Sequence, residues 1–182
     1  MKPRLVIVSG PPGTGKSTLA EDLATELGFP LLMRDTLKEA LMDHFPVNNL
    51  DESQAMGAAA LSVLVRVIDQ LVAAGADQVV ESSFTRGRGE DELAPFLARV
   101  QAIQIFCTAP DDVIVARYHA RMERGERHPG HQDHEALPDL IDRLERHEFE
   151  PLDLDIPLIE VDATNGFNPT VAQIARRIVN QS

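Results

Sequence analysis

The chain has 182 residues, the size of one ordinary domain, and can bury a core without disulfide or metal staples. With 43% apolar and 25% charged residues it reads as globular, neither disordered nor fibrous. Seventeen Lys plus Arg against 29 Asp plus Glu give a formal charge of −12, which argues against general binding to nucleic acid or to an anionic membrane, so any basic site must be local.

Leu5 to Val8 is a β-branched run without alternation, the pattern of a strand buried on both faces of a parallel sheet. GPPGTGKST follows, then Leu19, Leu23 and Leu27 at helical spacing, closed by Gly28. Pro30 to Met33 reads as a second strand, after which Asp35 or Thr36 can cap a helix carrying Leu37, Leu41 and Met42. A polar connection over residues 46–53 leads to a long helix from Gln54 to Ala74, and Gln78 to Val80 forms a third strand. The loop ESSFTRGRGEDE precedes a short helix around Leu93 to Arg99, and Ala102 to Cys107 is the fourth strand. Asp111 to about Arg124 is helical, and GERHPGHQD then breaks the pattern into a mobile loop. A helix from about Leu137 to Glu148, a fifth strand at Ile156 to Val161 and a helix from Thr170 to Asn180 follow. This alternation specifies an α/β fold, a parallel sheet covered on both faces, in one domain spanning residues 1–182 without internal repeats.

The lone Cys107 cannot form an internal disulfide, and the N-terminal residues lack the apolar core of a signal peptide. The most apolar stretch, Ala58 to Val65, ends at Arg66, well short of the roughly 20 residues that a membrane span needs. The expectation is a cytoplasmic protein with no membrane partner.

Gly10 to Ser17 fits G-x-x-x-x-G-K-[ST] and lies where that pattern belongs, between a buried strand and a helix. Gly10, Gly13 and Gly15 let the loop wrap an anion with its backbone N–H groups at a helix N-terminus. Lys16 would reach the β- and γ-phosphates of a nucleotide, and the Ser17 hydroxyl would help to hold a Mg²⁺ that keeps most of its waters. Pro12, Thr14 and Thr18 complete the expected nucleotide-binding set.

From these residues the sequence resembles the P-loop kinases of the adenylate, shikimate and gluconate kinase type. More closely it resembles the small phosphotransferases related to chloramphenicol phosphotransferase, zeta toxin and the kinase domain of polynucleotide kinase. The resemblance spans the whole chain in element order, and the P-loop is its specific part. It implies a three-layer, doubly wound, five-stranded sheet of order 2-3-1-4-5, an acid after the second strand that acts on the acceptor hydroxyl, and an arginine-bearing lid over ATP.

Asp35 occupies that position after the second strand, where a carboxylate could take the proton of a hydroxyl or hold it in line, and an ordinary helix cap is the alternative. Arg34 beside it could help to bind an anionic substrate. Arg117, Arg121, Arg124 and Arg127 recur every three or four residues; against Glu123 and Glu126 they give residues 117–127 a net of +2, leaving −14 for the rest. A basic lid at about 117–134 suits phosphoryl transfer, with Arg121 expected to act on the transferred group and Arg117 to bind ATP. Glu81, ending the third strand, is expected to reach the Mg²⁺ shell, Arg86 the acceptor, with Arg88 a weaker candidate beside it, and Thr164 the adenine side. His128, His131 and His134 invite a zinc reading, but Pro129 and Gly130 interrupt their spacing and a polar loop is the better expectation.

A GTPase would carry N-K-x-D and D-x-x-G strings, and neither occurs. An AAA-type ATPase would end an aliphatic strand in Asp-Glu and add a helical domain, whereas GADQVVESS supplies only Glu81. The expected function is an ATP- and Mg²⁺-dependent phosphotransferase, monomeric or homodimeric, acting on a hydroxyl of a small molecule. The alternatives are an ATP-binding regulatory or toxin-like module with little turnover, and a polynucleotide 5′-hydroxyl kinase, the latter disfavoured by the charge.

Overall fold

The computed structural model describes residues 2–180. Its sheet is built from β1 (Arg4–Ser9), β2 (Leu31–Met33), β3 (Gln78–Glu81), β4 (Gln101–Thr108) and β5 (Leu158–Asp162), all parallel, in the order β2-β3-β1-β4-β5. The helices are α1 (Lys16–Leu27), α2 (Arg34–Met42), α3 (Leu50–Ala73), α4 (Arg88–Leu97), α5 (Asp111–Arg124), α6 (Asp133–Glu145) and α7 (Val171–Asn180). The doubly wound architecture expected from the resemblance is the one observed.

The central strand shows why its residues are apolar without alternation. Val6 and Val8 pack with Leu19, Leu23, Ile174 and Ile178 from α1 and α7, while Leu5 and Ile7 pack with Leu64, Ile68, Leu93 and Phe96 from α3 and α4. Both faces of β1 are therefore core, and each such side chain contributes about 1.5–3 kcal/mol by leaving water. α3 is long and apolar enough to cross a membrane, but its Leu61, Leu64, Ile68 and Val72 stripe lies in this second core. A third cluster joins α5 to α6 through Ile114, Tyr118, Leu140 and Leu144.

Four helix starts differ from expectation: those of α2, α3 and α6, and that of α4, which begins at Arg88 rather than around Leu93. α3 begins at Leu50 rather than Gln54, because the Asn49 side chain accepts from the Glu52 N–H at 2.9 Å while the Glu52 carboxylate accepts from the Asn48 N–H at 2.8 Å, a reciprocal cap. α2 begins at Arg34 without any side-chain cap, so neither Asp35 nor Thr36 performs that task. The Asp35 carboxylate is held elsewhere, by guanidinium groups. The segment expected to be a loop contains a 3₁₀ turn at Pro129–His131, and α6 starts four residues early, directly after Gln132 in the left-handed region at φ 55°.

Candidate active site

The P-loop joins β1 to α1 at the carboxyl edge of the sheet, which is where an open α/β sheet receives ligands. Gly10 lies at φ 141° and Gly13 at φ 90°, and a Cβ would stand 2.1 Å from the Cys107 carbonyl oxygen at Gly10 and 2.9 Å from that of Ile114 at Gly13. Only glycine allows this tight cradle against β4 and α5. Gly15 shares the positive φ, at 87°, that lets the loop wrap an anion, but not the close approach to neighbouring backbone. It is exposed, and a Cβ there would meet nothing closer than the Phe167 ring at 3.8 Å, so it leaves the approach to α1 open instead of packing the loop down. Of the expected loop residues, Pro12, Lys16 and Ser17 line the cleft described below, and Gly10, Gly13, Thr14, Gly15 and Thr18 do not. Inside the cradle the Thr14 hydroxyl donates to the Pro11 carbonyl at 2.9 Å, and no side chain caps the N-terminus of α1, where Gly15 is the N-cap. The first N–H groups of that helix are left to an incoming anion.

Lys16 is buried, with its ammonium 3.7 Å from the Glu81 carboxylate at the end of β3. Burial pushes the Glu81 carboxyl above its ordinary value, against the pull of Lys16. The Ser9 and Ser82 hydroxyls, at the carboxyl ends of β1 and β3, are buried without hydrogen-bond partners. No cage of three or more His, Cys, Asp or Glu is present among the described residues. The donor set of Ser17 and Glu81 therefore fits a Mg²⁺ held mainly by phosphates and water, since that ion takes one or two protein oxygens at such sites.

Asp35, in the first turn of α2, is a hub of charge. Its carboxylate accepts from Arg34 at 3.0 Å and from Arg127 at 2.6 Å. Burial alone would raise its pKa, but Arg34, Arg127 and Lys16 together hold it well below the usual carboxylate range. Arg127 also donates to Asp133 at 2.8 Å, and Tyr118 shares that carboxylate at 2.8 Å.

Arg121 is the unsatisfied cation of the stripe. Its Nε and Nη2 are buried without partners, its guanidinium carbon lies 4.9 Å from the Tyr118 ring centre, and burial followed by repulsion from Arg127 disfavours its charge. Lys16, Ser17, Asp35 and Arg121 line one cleft of about 230 Å³.

The other expected residues divide. Arg117 donates to the Ala163 and Thr164 carbonyls at 2.8 and 2.9 Å, so it ties α5 to the loop after β5. The Thr164 hydroxyl donates to Asp162. Arg86 does not join the cleft: it is 46% exposed and pairs with Glu150 and Asp153, whereas Arg88, paired with Glu92, lines a neighbouring cleft. Arg124 pairs with Glu126 on the exposed side of its helix. His131 is buried, but its partners are Glu39, Arg127 and Lys38. Sequence reasoning missed Lys38, Tyr118, Asp133 and Arg143 as cleft residues. The signal for Lys38 was its place three residues after Asp35 on one helix face.

A family model described as an AAA domain matches residues 5–147. A crystal structure from Chloroflexus aurantiacus, provisionally described as a kinase, is 31% identical and superposes with a TM-score of 0.90 over all of both chains. The cytidylate kinase of Ignicoccus hospitalis is 28% identical over 144 residues, covering 78% of this chain and 74% of the relative. The APS kinase of Mycobacterium tuberculosis, solved with AMPPNP and APS, shares the fold at 18% identity, with a TM-score of 0.59 over 98% of this chain and 96% of that one.

Proposed function

Because the chain belongs to the AAA domain family and has the P-loop kinase fold, we propose that it is an ATP- and Mg²⁺-dependent phosphotransferase moving the γ-phosphoryl group of ATP to a hydroxyl of a small molecule. The observation that carries this reading is the convergence of Lys16, Ser17, Asp35 and Arg121 on one cleft. A binding module has no need to assemble a carboxylate and an unpaired guanidinium opposite its phosphate loop.

In this reading the P-loop N–H groups and Lys16 bind the phosphates, and Arg121 supplies charge to the equatorial oxygens of the transferred group. Mg²⁺, held by Ser17 and by water next to Glu81, would offset negative charge on the phosphates. Asp35 is the positioning group for the acceptor. Its two guanidinium partners keep it ionised, which makes it a strong hydrogen-bond acceptor and a weak base. It thus holds the hydroxyl in line rather than storing its proton, as suits a loose phosphoryl-transfer transition state.

The relative named for cytidylate favours a second reading, in which the acceptor atom is a phosphate oxygen. ADP release with Mg²⁺, ATP and a panel of hydroxyl and phosphate acceptors, followed by mass spectrometry of the product, separates the two. ATP consumption lost in Lys16→Ala supports the phosphotransferase, while binding of ATP without acceptor-dependent consumption by any compound favours a regulatory binder.

A further inference from the structure

We propose that the acceptor is an acid: a small compound bearing a carboxylate, sulfate or phosphate whose oxyanion is received by Lys38, in the stretch of cleft that Arg34 and Arg143 also line. The proposal rests on the phosphotransfer reading above and names its substrate class.

Lys38 lies on α2, one turn beyond Asp35, and only 8% of the residue is exposed. Its ammonium donates to the Ser53 hydroxyl at 2.8 Å and lies 3.5 Å from His131 Nδ1. Neither partner is an anion. His131 Nδ1 also accepts from Arg127 at 2.8 Å, and its Nε2 stands 2.8 Å from Glu39, which assigns Nε2–H as donor and leaves the ring neutral. Among the described residues no carboxylate comes within ion-pair distance of Lys38; Asp35, one turn away, is held by Arg34 and Arg127. Burial pushes Lys38 down to about 8, so it remains mostly charged at neutral pH. A buried cation without a direct ion-pair partner, crowded by Arg34 and Arg127 and only partly offset by the more distant Asp35 and Asp133, is costly, and it is relieved by an anion arriving from the cleft.

The distribution of charge makes the same demand. Lys16, Arg34, Lys38, Arg121, Arg127 and Arg143 line the cleft against Asp35, Asp133 and Asp139, in a chain whose net charge is −12. The phosphates of ATP engage Lys16 and Arg121, and Arg127 is divided between Asp35 and Asp133. Lys38 is left over. The adjoining cleft, about 370 Å³, is lined by the same Arg34, Lys38 and Arg143. Small residues of α3 give it room: even a Cβ at Gly57 would stay 3.9 Å from the lysine stem. Arg143 is braced there, its guanidinium 4.4 Å from the Phe149 ring centre and its Nε donating to Glu148 at 3.2 Å.

Positions three apart on a helix face lie about 5–6 Å apart. The acid group therefore sits a few bonds from the oxygen held at Asp35. In the transfer that oxygen bonds to the γ-phosphorus as the bond to the β–γ bridging oxygen breaks, the hydroxyl proton passes to solvent, and ADP leaves. A neutral acceptor, such as the antibiotic of the resembling phosphotransferases, would leave Lys38 uncompensated.

The test fills the P-loop with Mg²⁺ and AMPPNP, then titrates the loaded protein with inorganic sulfate and with inorganic phosphate, following the denaturation midpoint. Wild type is expected to gain stability at millimolar anion, and Lys38→Met to bind at least tenfold more weakly with its AMPPNP affinity intact. Lys38→Gln, which can still hydrogen-bond Ser53, is the second neutral variant if Lys38→Met does not fold. Equal anion binding by wild type and the neutral variant overturns the proposal. Failure of wild type to bind AMPPNP overturns the phosphotransfer reading instead. Paired hydroxyl acceptors then identify the acid: gluconate against glucose reads a carboxylate, and glucose 6-phosphate against glucose, with the product phosphorylated on a hydroxyl, reads a phosphate. Turnover of the neutral member of a pair as fast as the acid also overturns the proposal.

Discussion

The two side chains that define the proposed chemistry make different demands on folding. Lys16 sits over a carboxyl whose pKa is raised by burial, so removing its charge leaves Glu81 free to take up a proton. Lys16→Ala should therefore fold and lose about 10²–10³ in turnover, the usual loss when one preorganised electrostatic donor is removed. Steady-state ADP release checks this, and undiminished turnover in the folded variant contradicts the role. Asp35 is different because it is no helix cap. Asp35→Asn leaves Arg34 and Arg127 facing each other across a neutral amide. The variant should lose about 1.5–3 kcal/mol of stability, the range for hydrogen bonds to charged groups, together with most of its turnover. Urea denaturation beside kinetics would show both losses. A variant as stable and as active as wild type would mean that neither the ion pairs nor the carboxylate matters.

At the scale of elements, the segment proposed as a lid is already tied to α2, by Arg127 to Asp35 and by His131 to Glu39. α5 carries the unsatisfied Arg121 into the cleft that Lys16 and Ser17 also line. Hydrogen exchange over residues 117–134 should slow on adding Mg²⁺ and AMPPNP, and unchanged exchange would make this stretch a fixed wall rather than a closing lid. Arg121→Ala should lower turnover at little cost to folding, because its buried nitrogens make no hydrogen bonds in the ligand-free state. The latch is also acid-sensitive. Burial, with Arg127 and Lys38 beside it and only partly offset by Asp35 and Glu39, holds His131 down to about 4. Between pH 6.5 and 4 the unfolded chain binds a proton at this site that the native chain does not, so the site's contribution is full above pH 6.5 and is lost as pH falls toward 4. His131→Asn should flatten that part of the stability curve, measured as the midpoint at pH 7 minus that at pH 5. An identical slope in the variant would assign the acid sensitivity to other groups.

For the whole molecule, what could be read from the sequence was whatever a continuous stretch encodes. The P-loop places its glycines, lysine and serine within eight residues between a buried strand and a helix, so pattern and geometry coincide. Even there the motif could not tell that Gly10 and Gly13 are pressed against neighbouring backbone while Gly15 stands open to solvent. The proposed acceptor side is assembled from Lys38, Ser53, His131 and Arg143, which lie on four segments and meet only after α2, α3 and α6 have packed. Arginine periodicity drew attention to α5, yet it could not tell that Arg117 binds the carbonyls after β5 and Arg124 faces a surface glutamate while Arg121 is left unpaired. The outcome is an acidic body with a basic cleft, in which Lys38 and Arg121 lack the direct ion pairs that Lys16, Arg34, Arg127 and Arg143 make. Such a molecule should be most stable when fully loaded. Saturating Mg²⁺–AMPPNP at about 100 times its Kd should add ~2.7 kcal/mol to unfolding, since the ligand binds only the native state. For a chain of this length each kcal/mol raises the midpoint by about 2–4 °C, so the shift should reach several degrees in one cooperative transition. The increment should vanish in Lys16→Ala and persist in Lys38→Met, because the first change strips the phosphate loop and the second removes a charge on the acceptor side. Calorimetry of the three proteins with and without the analogue decides it. Loss of the increment in Lys38→Met would mean that the two halves of the cleft bind as one unit.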